Sequence, residues 1–219
     1  MEAVAQVLTY FLAMIVALTF HEAAHAFAAK IQGDSTAKLA GRLTLNPTAH
    51  MDMIGTVVMP LLGAIASMPL IGWAKPVPIN ERNFRNARFG PFFVAFAGPA
   101  ANLIMAFLGV VMLILYYRFG QEMIPQGSFL YPLVKLLSAI VLINAVLAFF
   151  NLVPIPPLDG ATVLAAYLPR SWGETYINAV APYGFFIILA LAFSGGLGWV
   201  MSLAHGYIAL IESLVTAFL

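Results

Sequence analysis

Residues 17–30 read ALTFHEAAHAFAAK and place two histidines and a glutamate inside a long apolar run, 4–31. As a helix, this run is long enough to cross the hydrocarbon layer of a membrane, which takes about 20 apolar residues. Ionisable side chains at that depth cost ~3 kcal/mol or more each on insertion scales, unless a partner compensates them. The stretch therefore predicts a membrane helix whose histidines and glutamate serve a function.

The composition extends this prediction to the whole chain. Of the 219 residues, 62% are hydrophobic and only 9% are charged, which is far from the range of soluble domains. We therefore expect an all-α, polytopic membrane protein in which residues 1–219 form a single transmembrane domain. Its bundle would contain about six apolar helical segments, at 4–31, 53–72, 91–117, 131–152, 176–193 and 197–218.

Several other classes of protein are excluded at this stage. The net charge is +1 and the basic residues are scattered, so no nucleic-acid-binding surface is indicated. Without cysteine there is no disulfide, no thiolate metal site and no cysteine nucleophile. The first twenty residues contain Glu2 and no Lys or Arg, so we interpret the first run as a retained helix rather than a signal peptide.

The polar segments around the second apolar run suggest extended structure. Apolar and polar residues alternate from Leu39 to Asn46, which predicts a strand over 37–46 that ends at Asn46-Pro47. Pro76 and Pro78 restrict 74–80 to an edge strand or an extended hairpin. We expect a short membrane-associated β or re-entrant element here.

The second apolar run leaves the orientation of the chain open. If 53–72 crosses the membrane, the positive-inside rule gives no answer, because basic residues then lie on both sides. If Pro60, Gly63 and Pro69 fold it back, seven basic residues lie on one side, which favours a cytoplasmic 30–90 and an external N-terminus. These seven are Lys30, Lys38, Arg42, Lys75, Arg82, Arg85 and Arg88.

The polar residues of the first run have the spacing of a metal site. His21 and His25 are four apart, so on a helix they lie about 40° apart and one turn along. Both imidazoles can then bind one ion, while Glu22 can reach a water molecule on that ion. This is the H-E-x-x-H arrangement of zinc hydrolases. The alternative is a histidine pair hydrogen-bonded within the bundle.

A hydrolytic zinc site usually has three protein ligands, and the third must lie elsewhere in the chain. Asp159 is the favoured candidate, because it follows a proline-broken helix between apolar residues, and broken backbone at membrane depth lines cavities. Its alternative role is to cap the helix 160–168. The other carboxylates lie in polar loops or near an end: Glu2, Asp34, Asp52, Glu81, Glu122, Glu174 and Glu212.

Three motifs in this order resemble the site-2 protease family of intramembrane zinc metalloproteases. They are HEAAH at 21–25, GPAAN at 98–102 and NLVPIPPLDG at 151–160. GRLTLNPTAHMDMIGT at 41–56 and GWAKPVPIN at 72–80 resemble its small prokaryotic branch, which lacks appended PDZ and CBS domains. In that family the first and second motif helices follow each other across a cytoplasmic loop, which also favours a re-entrant 53–72.

The resemblance implies one zinc ion held by His21, His25 and Asp159, with Glu22 as the catalytic base. It also implies that Asn151 assists at the reaction centre, where an amide can donate to an oxyanion; an interhelical hydrogen bond is the alternative. Asn102 and Asn144 are interpreted as packing residues. The substrate would be a transmembrane protein, cut in regulated intramembrane proteolysis at the plasma membrane of a prokaryote.

Two other functions remain open at this stage. An intramembrane zinc-binding or metal-transport protein without peptidase activity would use the same histidines and aspartate, but it would not need Glu22. A non-catalytic relative that holds a membrane partner is the other possibility. Neither the substrate, nor a regulator, nor the oligomeric state is indicated by the sequence.

Overall fold

The computed structural model describes residues 2–65 and 72–218, and within these ranges the chain is helical, without a strand. The helices of the membrane bundle are α1 (Glu2–Ile31), α2 (Thr36–Leu39), α3 (Pro47–His50), α4 (Met59–Ile65), α5 (Gly90–Leu115), α6 (Tyr131–Asn151), α7 (Asp159–Tyr167), α8 (Arg170–Phe193) and α9 (Gly198–Thr216). Turns of π-helix at Met53–Val58 and Tyr116–Gly120 precede α4 and extend α5, and a 3₁₀ turn spans Glu81–Asn83. The predicted all-α polytopic bundle is confirmed.

Five of these helices are long and apolar enough to cross a membrane. They are α1, α5 with its π-helical extension, α6, α8 and α9. The remaining predicted run, 53–72, contains only a shorter apolar helix, Met53–Gly63, within the described residues. The broken sequence around Pro154 separates α6 from the short α7, as its prolines predict.

The centre of the bundle is formed by α1, α5 and α6, which all contact one another. Their buried faces are rich in alanine, since small residues let helices approach closely where lipid removes the hydrophobic driving force. Alanines without exposed surface occur on all three helices, at Ala13, Ala17, Ala26, Ala29, Ala106, Ala145 and Ala148. This close packing brings polar groups on α1, α5 and α6 within hydrogen-bond distance.

Helix α8 lies at the periphery and packs mainly against α7. Its only buried residues are Gly173 and Gly184, and Gly184 lies against the carbonyl of Pro156. The Tyr176 hydroxyl donates to the carbonyl of Pro154. Helix α8 therefore contacts the broken segment that leads to Asp159.

The two described ends of the second apolar run lie close together. Lys75 N donates to His50 O at 2.8 Å and Trp73 N to Gly55 O at 3.2 Å, and Met51 pairs with Ala74 in a single antiparallel bridge. A crossing would hold these ends about 30 Å apart. The ends of the run thus favour the re-entrant interpretation; residues 66–71, with Pro69, lie outside the described residues.

The prediction of a strand over 37–46 is wrong. Thr36–Leu39 form one helical turn, and the chain then reverses at Gly41, which has a φ of 70°. The Asp34 carboxylate accepts from Thr36 N at 3.0 Å and stabilises the helical start that the alternation did not reveal. Arg42 is buried and donates to the carbonyls of Ala49 and Pro76.

A loop that we call the strap, residues 73–85, is tied to the end of α1. Asp34 is fully buried and accepts from Asn80 N at 2.7 Å and Asn83 Nδ2 at 2.9 Å, while Arg85 N donates to Gln32 O at 2.6 Å. Burial alone would raise the pKa of Asp34, but hydrogen bonds from Asn80, Thr36 and Asn83 outweigh it and lower the pKa to about 2. Of the predicted edge strand 74–80, only Ala74 pairs, in the bridge to Met51, and residues 75–80 have no regular secondary structure.

Candidate metal centre

The two histidines of α1 project into the bundle as the helical spacing predicts. His21 and His25 are both buried, and their ring centroids are 4.5 Å apart. Each offers a ligand atom that lies within 4.8 Å of the other and of a Glu22 oxygen. One turn of one helix therefore presents three of the expected functional groups at the same place.

Asp159, at the start of α7, approaches this pair from a distant part of the chain. Its Oδ2 atom lies 3.1 Å from His21 Nε2 and 3.4 Å from His25 Nε2. The cap position of α7 is occupied by Leu158, and no side-chain capping bond is formed. The carboxylate thus faces the histidines and does not serve as the helix cap that was its alternative role.

Hydrogen bonds on the opposite ring nitrogens determine which atoms face the carboxylate. His25 Nδ1 is 2.7 Å from Val94 O, which can only accept, so this nitrogen must donate. His21 Nδ1 is 2.6 Å from Asn102 Oδ1. With Nδ1 protonated, a neutral imidazole directs the lone pair of Nε2 inward, which is the form that binds metals.

The donor set fits a divalent cation. Two Nε2 lone pairs and a carboxylate oxygen converge, and Asp159 Oδ2 is buried without a hydrogen-bond partner among the described residues. Three such acceptors repel one another unless a proton or a cation lies among them. Nitrogen and carboxylate oxygen are ligands that zinc accepts, and three protein ligands leave a fourth position open.

Glu22 lies beside this centre at the edge of a cavity. A cavity of about 300 Å³ is lined by both histidines, Asp159 and Glu22, and by strap residues that include Pro76, Val77 and Ile79. Glu22 Oε2 accepts from Val77 N at 3.2 Å. The strap thus holds the Glu22 carboxylate at the cavity, beside the histidines.

Asn151 also lines the cavity, at the last turn of α6. One of its Nδ2 hydrogens is used within the helix, because Nδ2 donates to Leu147 O at 3.0 Å. An amide has a second N–H group, so a donor is left for a ligand in the cavity. The structure brings Asn151 to the same cavity as the other four predicted site residues.

The contribution of the GPAAN motif was missed by the sequence analysis. Gly98 faces both rings, and a Cβ atom there would overlap His25 Nε2 and His21 Cε1. Asn102, expected only to pack, contacts His21 directly. The sequence signal was an asparagine and a glycine in an otherwise apolar helix. Which residues they contact depends on how α5 packs on α1, and this could not be read from the sequence.

Comparisons with known proteins identify a peptidase family and relatives that are named as zinc metalloproteases. The family model described as Peptidase family M50 matches residues 9–134 and 123–193. The chain is 40% identical over 178 residues to "Putative zinc metalloprotease YwhC" of Bacillus subtilis, covering 81% of this chain and 77% of the relative. It is 31% identical over 197 residues to "Putative zinc metalloprotease Rip2" of Mycolicibacterium smegmatis, covering 88% and 70%.

A more distant relative is archaeal. "Zinc metalloprotease MJ0392" of Methanocaldococcus jannaschii is 27% identical over 171 residues, which cover 78% of this chain and 38% of that protein. No solved structure matches the chain.

Proposed function

The chain belongs to Peptidase family M50 and is a multi-pass membrane metalloprotease with zinc as its cofactor; from this premise we propose that it is an intramembrane protease of the site-2 type. It hydrolyses peptide bonds within or next to the transmembrane segments of membrane proteins, and residues 1–219 act as one domain. The observation that carries the proposal is the convergence of His21, His25 and Asp159 beside Glu22 inside a membrane bundle.

We assign the ligand roles to His21, His25 and Asp159. Zinc held by these residues would supply Lewis-acid chemistry, which polarises the scissile carbonyl and lowers the pKa of a water molecule to near neutral. Glu22 takes the proton as the water oxygen bonds to the carbonyl carbon, and then passes it to the leaving nitrogen as the C–N bond breaks. Asn151 donates its second N–H group to the developing oxyanion.

The substrate must present an unwound backbone, because a helix hides its carbonyls in internal hydrogen bonds. Strap residues Pro76, Val77 and Ile79 line the cavity, and the Ile79 backbone, which forms no hydrogen bond with another described residue, is left for pairing with such a chain. With 37–46 helical in part, the strap is the remaining candidate for pairing with an extended substrate.

The location follows from the charges. With a re-entrant 53–72, the seven basic residues from Lys30 to Arg88 lie on one side, while Arg118 and Lys135 flank the opposite connection between α5 and α6. The positive-inside rule then places the active site near the cytoplasmic face of the cell membrane, with the N-terminus outside.

The test compares wild type and Glu22→Gln in proteoliposomes with a tagged single-span substrate whose transmembrane segment contains a Gly-Pro break. We expect wild type to cut it, and Glu22→Gln to retain zinc with activity lower by at least about 100-fold. Equal cleavage by both proteins would contradict the assignment of the base. Zinc binding without cleavage of any membrane substrate would favour a zinc-binding or transport protein.

A further inference from the structure

A chain of buried amides connects His21 to the centre of the bundle. Asn102 on α5 and Asn144 on α6 have no exposed surface. Asn102 Oδ1 is 2.6 Å from His21 Nδ1, and Asn102 Nδ2 is 2.8 Å from Asn144 Oδ1. Neither asparagine lies at the metal ligand positions, and neither has a part in the proposed reaction.

The direction of each hydrogen bond in this chain is fixed by a backbone carbonyl. Asn144 Nδ2 donates to Ile140 O at 2.8 Å, so the oxygen of this amide must face Asn102. Asn102 then donates both of its N–H groups, one to Asn144 and one to Ala17 O at 3.1 Å. Its oxygen has to face His21, because its two donors are already used.

The direction of these hydrogen bonds determines the tautomer of His21. A nitrogen that faces a fixed acceptor must carry the proton, so Nδ1 donates and the lone pair lies on Nε2. The Nε2 atom is the one that faces Asp159, at 3.1 Å. Hydrogen bonds of this kind hold the orientation of a metal-binding histidine, and their loss typically weakens metal binding by about 10- to 100-fold.

We propose that Asn102 is the positioning residue for His21, and that Asn144 holds Asn102 in the required orientation. Asn102 therefore has a purpose beyond joining helices, because its oxygen selects the metal-binding form of the ring. The inference rests on the proposed zinc site.

Two variants of Asn102 separate positioning from packing. Asn102→Leu and Asn102→Asp both remove the donors to Ala17 and Asn144, but only the aspartate retains an oxygen for His21 Nδ1. A role in packing alone predicts the same zinc affinity for both. Positioning predicts that Asn102→Leu weakens zinc binding by about 10- to 100-fold, whereas Asn102→Asp stays within about threefold of wild type.

The measurement is the zinc dissociation constant of the full chain in detergent, by competition with a chelator of known affinity. Thr19→Val is the matched control, since Thr19 is buried two residues before His21 and its hydroxyl bonds only Ile15 O of its own helix. Its affinity should equal that of wild type. Equal affinities for Asn102→Leu and Asn102→Asp would overturn the inference.

If Asn102→Leu does not fold, Asn144→Leu gives the answer. The Asn144 oxygen is one of the two acceptors that orient the Asn102 amide, the other being Ala17 O. Its loss leaves the amide less firmly oriented, so zinc binding should weaken, and an unchanged dissociation constant would overturn the inference. If wild type binds zinc but the variants contradict the inference, the proposed function still stands. A wild type that binds no zinc would overturn the inference and the proposed function together.

Discussion

At the scale of single residues, the proposed metal centre joins side chains from two distant parts of the chain, His21 and His25 on α1 and Asp159 at the start of α7. The proximity of His21, Glu22 and His25 could be predicted from their spacing alone, because one helical turn fixes their relation. Asp159 was the favoured partner because a carboxylate after a broken apolar helix needs an explanation. The role of Asn102 could not be found in this way, since its partner lies 81 positions away on another helix.

The ligand role of Asp159 predicts its effect on metal content. We expect near one zinc per wild-type chain and a large loss in Asp159→Ala, because two histidines alone make an incomplete site. Metal analysis of the detergent-purified proteins measures this. Glu174→Ala is the control, as its carboxylate is exposed and pairs with Arg170 on the surface, and equal zinc in Asp159→Ala and the control would remove Asp159 from the ligand set.

Asp34 should make stability depend on pH in the acidic range. Because its pKa is lowered to about 2 in the folded protein, below its ordinary value of about 4, the carboxylate stabilises the fold above that ordinary value. This contribution is lost as the pH falls from about 4 towards 2. We therefore expect the melting temperature of wild type to exceed that of Asp34→Asn at pH 7.

The same comparison at lower pH completes the test. The difference between the two melting temperatures should shrink between pH 4 and pH 2, because protonation removes the negative charge that strengthens the hydrogen bonds from Asn80 and Thr36. A difference that is constant over this range would mean that the charge of Asp34 does not stabilise the strap.

At the scale of elements, the long helices were predictable and the short polar segments were not. Apolar runs of membrane length leave few alternatives to a helix, because every backbone group must be paired in lipid. The strand predicted from the alternation over 37–46 does not form, because two contacts outside the pattern decide the structure. Asp34 starts the helical turn at Thr36, and distant carbonyls such as Pro76 O draw Arg42 inward.

The close approach of α5 to α1 gives a prediction for Gly98. Gly98→Ala places a methyl group against both histidine rings, so zinc affinity should fall, together with a loss of about 1–3 kcal/mol in the free energy of unfolding. Gly109→Ala is matched to it on the same helix, because its Cβ would meet Val141 instead. Thermal unfolding should show that both variants are destabilised. Zinc titration should show that only Gly98→Ala loses zinc affinity.

At the scale of the whole molecule, the absence of cysteine makes topology easy to measure. Lys38, Lys75 and Gln126 are exposed, and single cysteines there can be labelled in vesicles with a membrane-impermeant maleimide. With a re-entrant 53–72, Lys38→Cys and Lys75→Cys should react from the same side and Gln126→Cys from the other. Reaction of Lys38→Cys and Lys75→Cys from opposite sides would mean that the run crosses.

Metal removal should lower the stability of the whole bundle. A ligand that binds only the folded state stabilises it by mass action, so a chelator should reduce the melting temperature of wild type and of Glu22→Gln. Asp159→Ala should melt at the same temperature with and without the chelator. A chelator effect of equal size in all three proteins would indicate that the metal acts elsewhere.

The position of the ligands along the chain also has a consequence for biosynthesis. His25 lies on the first helix and Asp159 follows α6, so more than half of the chain separates them. A ribosome delivers His21 and His25 to the membrane long before Asp159 exists. The nascent protein therefore cannot complete its metal site, or cut neighbouring proteins, until most of its helices are inserted.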